Sequence, residues 1–471
     1  MAFRALEQLM SHRRTVILFC LILGLTLVQG ILYASIVPPW QTPDEPKHFE
    51  YVALLEQKGR LVTREDASPA LQQEIISSMK TYGYWKFGFA KNPEEATSSF
   101  IDIWSLNPTQ LHRPPLYYLG ASVFYRMSFG LPIEARLFTA RLFSVLLGLA
   151  TILMLFLTVR TVFPDDPPLA LLASGFAAFL PTHSFVMGSV NSDNLANLVA
   201  AILAFVLARA FFMGASLPNV VVTVLLLFAG LWTKRTTLFM LPLAALSAPI
   251  YMGSKRLRRL SLLKLLWIVG LLTLIMAFLA LFKRSRDGLG WILENYVLNG
   301  PLSLNIYFYQ RNDYSLGSLL DLYVGFTGRM FDSFWAQFGW MNIRLDDSWY
   351  LLLLVFTLLS VAGLARYALR LVHGTTDLDI RQKKMLLTYV AWIAMVVAIP
   401  MIQYTADFNP ASFPQGRYLF PALVPIATLF SIGVKSLFPT RYQAASSFVA
   451  IACLVLLNAL SLMLYIVPSY Y

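Results

Sequence analysis

A chain of 471 residues that is 57% hydrophobic and 13% charged, with a mean hydropathy of +0.62, is too apolar for a soluble globular protein and reads as a polytopic membrane protein. Its net charge of +12 falls in short basic clusters between apolar runs, which is a topology signal and argues against a nucleic acid partner. Cys20 and Cys453 both sit inside apolar segments, which excludes a disulfide framework and a thiolate metal cluster.

In chain order, the run Thr15 to Val37 is longer than a signal-peptide core and predicts a retained first membrane helix. A helix needs about 20 apolar residues to cross a hydrocarbon core of roughly 30 Å. Ten further candidates follow, at 139–163, 169–190, 195–213, 218–233, 236–252, 261–282, 348–370, 385–405, 419–437 and 444–467. The expectation is an all-α polytopic protein of about eleven transmembrane helices, a single membrane domain over 1–471 without an internal repeat. Pro114 to Gly130 is apolar enough to tempt a twelfth span, and charge decides against it. If it does not cross, Arg4, Arg13, Arg14, Arg160, Arg209, the cluster Lys255 to Arg259, Arg366, Arg370, Arg381, Lys383, Lys384, Lys435 and Arg441 all face inside. The segment then reads as an interfacial or re-entrant helix, with Tyr117, Tyr118, Tyr125 and Arg126 suited to a headgroup boundary. This topology puts the N-terminus in the cytoplasm and two long loops, 38–138 and 283–347, outside.

The specific polar residues gather on that outer side. In QTPDEPKHFEYVALL, Gln41 to Leu55, Pro46 suits the first position of a helix, so Asp44 or Glu45 reads as its N-cap. A carboxylate just outside the first span can equally take a proton from an attacking hydroxyl. His48 reads as a surface histidine or a binding residue. In SVNSDNLAN, Ser189 to Asn197, Asp193 opens an apolar helix as a cap or as a site acid, because an acid there is costly unless solvated or paired. Lys234 and Arg235 interrupt an apolar region, and Arg417 in FPQGRYLFP precedes a span on the side where positive-inside bias does not ask for it. Either these cations anchor to headgroups or they meet an anion, for which arginine offers a fork matching phosphate oxygens. His112 and Arg113 lead into the interfacial helix. The aromatic stretch Met330 to Asn342 fits an interfacial belt or a sugar platform. No Walker A loop, Gly-rich dinucleotide turn or HExxH is present.

Together these motifs resemble the GT-C class of membrane glycosyltransferases. The Asp44-Glu45 pair resembles the acidic pair of protein O-mannosyltransferases, and HRPPLYYL is similar to a segment those enzymes share with lipid A aminoarabinose transferases. Asp193 matches an acid after the third span in those proteins, and Lys234 matches a lysine after the fifth span in the aminoarabinose transferases. PDEPKHF with QGRYLFP resembles, more narrowly, a bacterial integral membrane family of unknown function assigned to the same group. The resemblance implies a transferase in the inner or plasma membrane that moves a sugar from a polyprenyl-phosphate donor to a glycan, lipid or protein acceptor on the outer face. Asp44 would be its general base, with Glu45 and Asp193 as accompanying acids. Lys234, Arg235 and Arg417 would hold the donor phosphate, and His48, His112, Arg113, Gln415 and Tyr418 would contact substrate. The resemblance fixes no cofactor; Asp44, Glu45 and Asp193 could bind magnesium or manganese, as the acids of the similar oligosaccharyltransferase catalytic subunits do. A ligase using diphosphate-linked glycans, a lipid-linked sugar transporter and a lipid-binding subunit are the alternatives. Ionisable groups gathered at one face, not at the midplane, weigh against transport.

Overall fold

The computed structural model describes residues 2–87, 99–103, 106, 110–214, 216–252, 316–375, 378–407 and 414–471. Its elements are α1 (Ala2–Ile36), α2 (Glu45–Lys58), α3 (Pro69–Thr81), α4 (Leu116–Arg126), α5 (Ile133–Val162), α6 (Pro167–Phe179), α7 (Pro181–Met187), α8 (Asp193–Met213), α9 (Leu217–Leu231), α10 (Met240–Met252), α11 (Leu316–Trp335), α12 (Asp347–Val372), α13 (Ile380–Asp407), α14 (Leu423–Ser436) and α15 (Gln443–Leu460). Among the described residues, seven helices are long and apolar enough to cross a membrane, or eight if the bent pair α6 and α7 is one span. With the shorter α9 and α10, apolar helices occupy ten of the eleven expected positions. The eleventh, 261–282, and the basic cluster 255–259 lie outside the described residues. The outward faces stay apolar, as Ile17, Leu21, Val28, Leu352 and Leu358 illustrate, because their solvent is hydrocarbon.

The bundle has two chemically different ends. At one, Lys435 pairs with Asp166, Gln382 donates to the Val162 carbonyl at 2.9 Å and Arg381 donates to the Phe212 carbonyl at 2.9 Å. This basic end gathers the loops that the charge pattern assigns to the inside. The opposite end collects the segments after α1, α7 and α9 and the one before α14. Reaching it requires a bend: α6 and α7 meet at 63° where Pro181 breaks the helix. The carbonyls freed by that break are taken up by side chains. Asn458 donates to the Phe179 carbonyl at 3.3 Å and to Ser184 Oγ at 3.0 Å, and Ser184 Oγ reaches the Ala178 and Leu180 carbonyls. Polar side chains can stabilise such a break inside hydrocarbon because water cannot.

Segment 114–130 does not span: α4 has 11 residues, about 16 Å of helix at 1.5 Å per residue. Its outward stripe of Leu119, Val123 and Met127 continues into Phe129 and Leu131, all exposed and apolar, as an interfacial helix requires. The tyrosines correct the sequence reading. Tyr117, Tyr118 and Tyr125 are fully buried against α2 and α5 and do not face headgroups; only Arg126 is exposed, paired with Glu56. The second long loop is likewise more structured than expected. Its described part holds α11 and a two-residue antiparallel ladder, Gln337–Phe338 against Ile343–Arg344. Phe334, Trp335 and Phe338 are core residues, so this part of the aromatic stretch is neither belt nor platform. Trp340 reaches across to donate its indole N–H to the Trp40 carbonyl at 3.1 Å, tying the two long loops together.

Replacing Asn458 with Leu leaves the Phe179 carbonyl without its donor in hydrocarbon. A loss of about 1–3 kcal/mol is expected, seen as a lower thermal midpoint in detergent; an unchanged midpoint contradicts this explanation of the bend. On α2, burial pushes Glu50 up to about 7 from its ordinary 4.5, although the Gln72 amide donates to it at 2.6 Å. The protonated acid contributes stability that is complete below pH 4.5 and is lost as pH rises through about 7. Stability measured across that window should fall less steeply in Glu50→Gln than in the wild type, and an identical slope would contradict the assignment.

Candidate functional site

The loop from Pro38 to Asp44 turns the chain from α1 into α2, and two of its residues are left-handed: Trp40 at φ 72° and Asp44 at φ 65°. Such a backbone is uncommon for residues with a Cβ and costs roughly 1–2 kcal/mol. At the N-cap of α2, Asp44 makes no side-chain capping bond. Its carboxylate instead points to Lys47 Nζ at 2.5 Å, one helical turn on, and to Arg417 Nη2 at 3.5 Å. The capping reading of Asp44 therefore fails, and the strained conformation aims the acid into a charged cluster.

The same division of labour appears before α8. Asn191 Oδ1 accepts from the Asp193 N–H at 2.9 Å, and the Asn194 amide donates to the Val186 carbonyl at 3.0 Å and the Asn191 carbonyl at 3.2 Å. These asparagines build the turn, which leaves the Asp193 carboxylate for Lys234, its ion-pair partner, and for Arg417 Nε at 3.8 Å. Arg417 is held between the two acids by Gly416. A Cβ at Gly416 would collide with the backbone of Ser333 and Phe334, and its N–H donates to Ser333 Oγ at 2.7 Å. The glycine of QGRY thus lets the turn before α14 lie directly on α11. Arg417 is buried, yet its Nε has no hydrogen-bond partner, and it borders a crevice of about 20 Å³ lined also by Pro43, Gln337, Met341 and Gln415.

Glu45 faces elsewhere. It is completely buried, accepts from Arg141 Nε at 2.8 Å and Nη2 at 2.6 Å, and takes the Val190 N–H at 3.1 Å. Arg141 also donates to the carbonyls of Ala34, Val37 and Pro38 at 2.8, 2.7 and 3.2 Å, closing the end of α1. This pair is a clamp joining four segments. Its oxygens are fully engaged, so Glu45 is not positioned to meet substrate. His48 is buried beside Asp44 with Nδ1 2.7 Å from the Tyr118 hydroxyl. Arg113 holds Gln110 at 2.9 Å, and its carbonyl accepts from Tyr51 at 3.1 Å. Its neighbour Leu116 donates its N–H to the Trp232 carbonyl at 3.1 Å, which brings the HRPP segment against the Lys234 turn. His112 is half-buried, and Gln415 and Tyr418 flank Arg417, whose guanidinium lies 5.8 Å from the Tyr418 ring. Arg235 begins a 3₁₀ turn, and its side chain lies outside the described residues.

Sequence reasoning missed Lys47, Arg141, Tyr117 and Tyr118. Tyr117 accepts from the Asn191 N–H at 3.0 Å and bonds Ser144 Oγ at 2.7 Å, so this tyrosine of α4 fastens the loop that presents Asp193. An arginine three residues into an apolar run was the available signal for Arg141.

Electrostatics favour an anion. Lys47, Lys234 and Arg417 outnumber Asp44 and Asp193 within one connected cluster. Burial opposes ionisation of Asp44, but Lys47 and Arg417 outweigh it and hold the carboxyl below the usual range. Burial pulls Lys234 below its ordinary value, against the pull of Asp193. Asp44 keeps 30% of its side chain exposed, against 5% for Asp193 and 7% for Arg417, so it is the most accessible member of the trio. Magnesium or manganese does not fit. No group of three or more His, Cys, Asp or Glu among the described residues could hold a metal, and each of the two acids already faces cations.

The fold and the site together define a polytopic membrane protein with a polar, cation-rich site at one end of its bundle. The chain belongs to the family described as Predicted membrane protein (DUF2142), whose model matches residues 27–426 and so encloses every motif above. No curated protein matches it.

Breaking the Glu45–Arg141 clamp from one side strands a buried charge. Arg141→Met should cost about 3–5 kcal/mol of stability, and replacing both partners with apolar residues should cost less than the sum of the single changes. A double-mutant cycle in thermal unfolding that shows additive effects would contradict the clamp.

Proposed function

We propose that this protein is a glycosyltransferase that moves a sugar from a polyprenyl-phosphate donor to an acceptor hydroxyl on the outer face of the membrane. The observation that carries this reading is Arg417. A buried guanidinium with an unpartnered Nε, set between two carboxylates, is an incomplete arrangement that a phosphate oxygen completes. Lys234, at the lip of the bundle, supplies a second cation for the same phosphate. The membrane setting suggests a lipid to carry that phosphate, and the positive-inside pattern of the loops supports an outer position for this end.

In the proposed step Asp44 takes the proton of the acceptor hydroxyl as its oxygen attacks the anomeric carbon. The bond from that carbon to the phosphate oxygen breaks, and the polyprenyl phosphate leaves with its charge against Arg417 and Lys234. One displacement with one base inverts the anomeric centre, since Glu45 is committed to Arg141 and cannot act as a nucleophile. Asp44 is a weak base while Lys47 and Arg417 surround it. A bound phosphate adds negative charge and shares Arg417, which raises the proton affinity of Asp44 when the donor is in place.

Purified protein in nanodiscs, incubated with a panel of polyprenyl-phosphate sugars, should release polyprenyl phosphate detectable by mass spectrometry. Asp44→Asn should lower that release about 10²- to 10⁴-fold, and retention of more than about half of the wild-type rate would remove Asp44 from the role of base.

A further inference from the structure

A phosphate cannot reach Arg417 Nε in this structure. That nitrogen is buried, and the crevice beside it holds about 20 Å³. A water molecule needs about 10–15 Å³ of such space, so the crevice fits one water and not a tetrahedral phosphate. One of its walls has to move before an anion enters.

Among the described residues those walls are the PDEP turn at Pro43, α7 at Val186, α11 at Ser333, the turn at Gly416 and the hairpin at Gly339 and Met341. Most of them are fixed where water cannot replace what holds them. On α7, Ser184 accepts from Asn458 at 3.0 Å and the Val186 carbonyl accepts from Asn194 at 3.0 Å, and losing either bond strands a polar group inside the bundle. Gly416 is pressed onto the backbone of Ser333 and Phe334, and Pro43 is followed closely by the Glu45–Arg141 clamp. The hairpin turn differs. Phe338 and Ile343 anchor its ladder in the core, but between them Trp340 and Met341 are half-buried and Asn342 is exposed. Gly339 and Met341 are left-handed, at φ 61° and 70°. Trp340 holds the turn by donating its indole N–H to the Trp40 carbonyl at 3.1 Å, with its ring edge-on to Tyr84. The Gln337 amide holds it again by donating to the Met341 carbonyl at 2.7 Å. Water can take over both carbonyls when this turn lifts, so its opening costs less than displacing α7.

We propose that the turn from Gly339 to Asn342 is a gate over the Arg417 crevice. It swings about Phe338 and Ile343, admits the phosphate of the lipid, and closes again through the bond from Trp340 to Trp40. What enters rests on the donor reading given above; the motion does not. Because the ligand binds after the turn lifts, the fraction of open molecules sets how fast it associates.

The test uses the full chain in nanodiscs, carrying Cys20→Ala and Cys453→Ala, with Val186→Cys as reporter. Val186 is 4% exposed and faces the hairpin turn across the crevice wall. A water-soluble methanethiosulfonate should modify this thiol slowly, and Trp340→Phe, which deletes the N–H and keeps the ring, should speed modification about five- to tenfold. Gly339→Ala should act in the same direction through another contact, because its Cβ would collide with Asn342 Oδ1. Ser174→Cys, fully buried on α6, should stay unreactive in all of these backgrounds. Bare polyprenyl phosphate should associate about five- to tenfold faster with Trp340→Phe than with the wild type. Modification of Val186→Cys as fast as that of Asn342→Cys, with the turn otherwise intact, would show that the crevice is not sealed and overturn the gate. So would an unchanged rate in both Trp340→Phe and Gly339→Ala, or an equal acceleration at Ser174→Cys. Faster modification with an unchanged association rate overturns entry of the phosphate by this route. Failure of the wild type to bind polyprenyl phosphate, with modification still faster in Trp340→Phe, overturns the donor reading and leaves the gate standing.

Discussion

Arg417 carries a charge in a place where water is scarce, and the geometry around it follows from keeping that charge company. Two acids reach it from opposite parts of the chain, Asp44 from the turn after α1 and Asp193 from the start of α8, and neither gives it a complete set of hydrogen bonds. A third and a fourth charge, Lys47 and Lys234, then balance those acids. Uncompensated charge is expensive at a membrane boundary, so segments that bring the partners together are constrained more tightly than their loop character suggests. The left-handed turn at Asp44, the bend at Pro181 and the glycine at 416 are three backbone features that serve this one meeting.

Around that centre the structure separates charge that works from charge that holds. Glu45 and Arg141 are buried, mutually saturated and bonded to the backbone of α1 and of the loop before α8, which makes them a clamp. Asp44, adjacent in sequence, is exposed enough to meet a ligand. The two residues of one acidic pair thus take opposite directions because the first stands in the turn and the second opens α2. Tyr117 and Tyr118 divide in the same way, the former fixing the Asn191 backbone and the latter bonding His48.

Much of this arrangement is legible in the amino-acid sequence, and the reason is physical. Charged residues in an apolar chain need a purpose, so Asp44, Asp193, Lys234 and Arg417 stand out and do converge, together with Lys47, whereas Glu45 stands out equally and turns instead to Arg141. The charge asymmetry of the loops also anticipates a bundle with a basic end opposite the PDEP segment. Pairing is what the sequence conceals. Lys47 looks like one more surface lysine of an amphipathic helix, and Arg141 sits near the edge of an apolar run where snorkelling is the ordinary expectation. Buried tyrosines share their composition with interfacial ones, since both have an apolar ring and a hydroxyl that needs a partner. Only the packing of α4 against α2 and α5 shows that the partner is protein. The aromatic stretch that begins in the last turns of α11 misleads for the same reason, because rings alone do not distinguish core from belt.

The role given to this site stands on an anion completing the coordination of Arg417, and a structure of the protein with polyprenyl phosphate bound is the decisive test. The phosphate should lie at the PDEP end, within hydrogen-bond distance of Arg417 Nε and Lys234 Nζ, with Asp44 left facing the space where a sugar would sit. A phosphate held instead at the basic end near Lys435 and Arg381, with Arg417 unchanged between its two carboxylates, would refute that role.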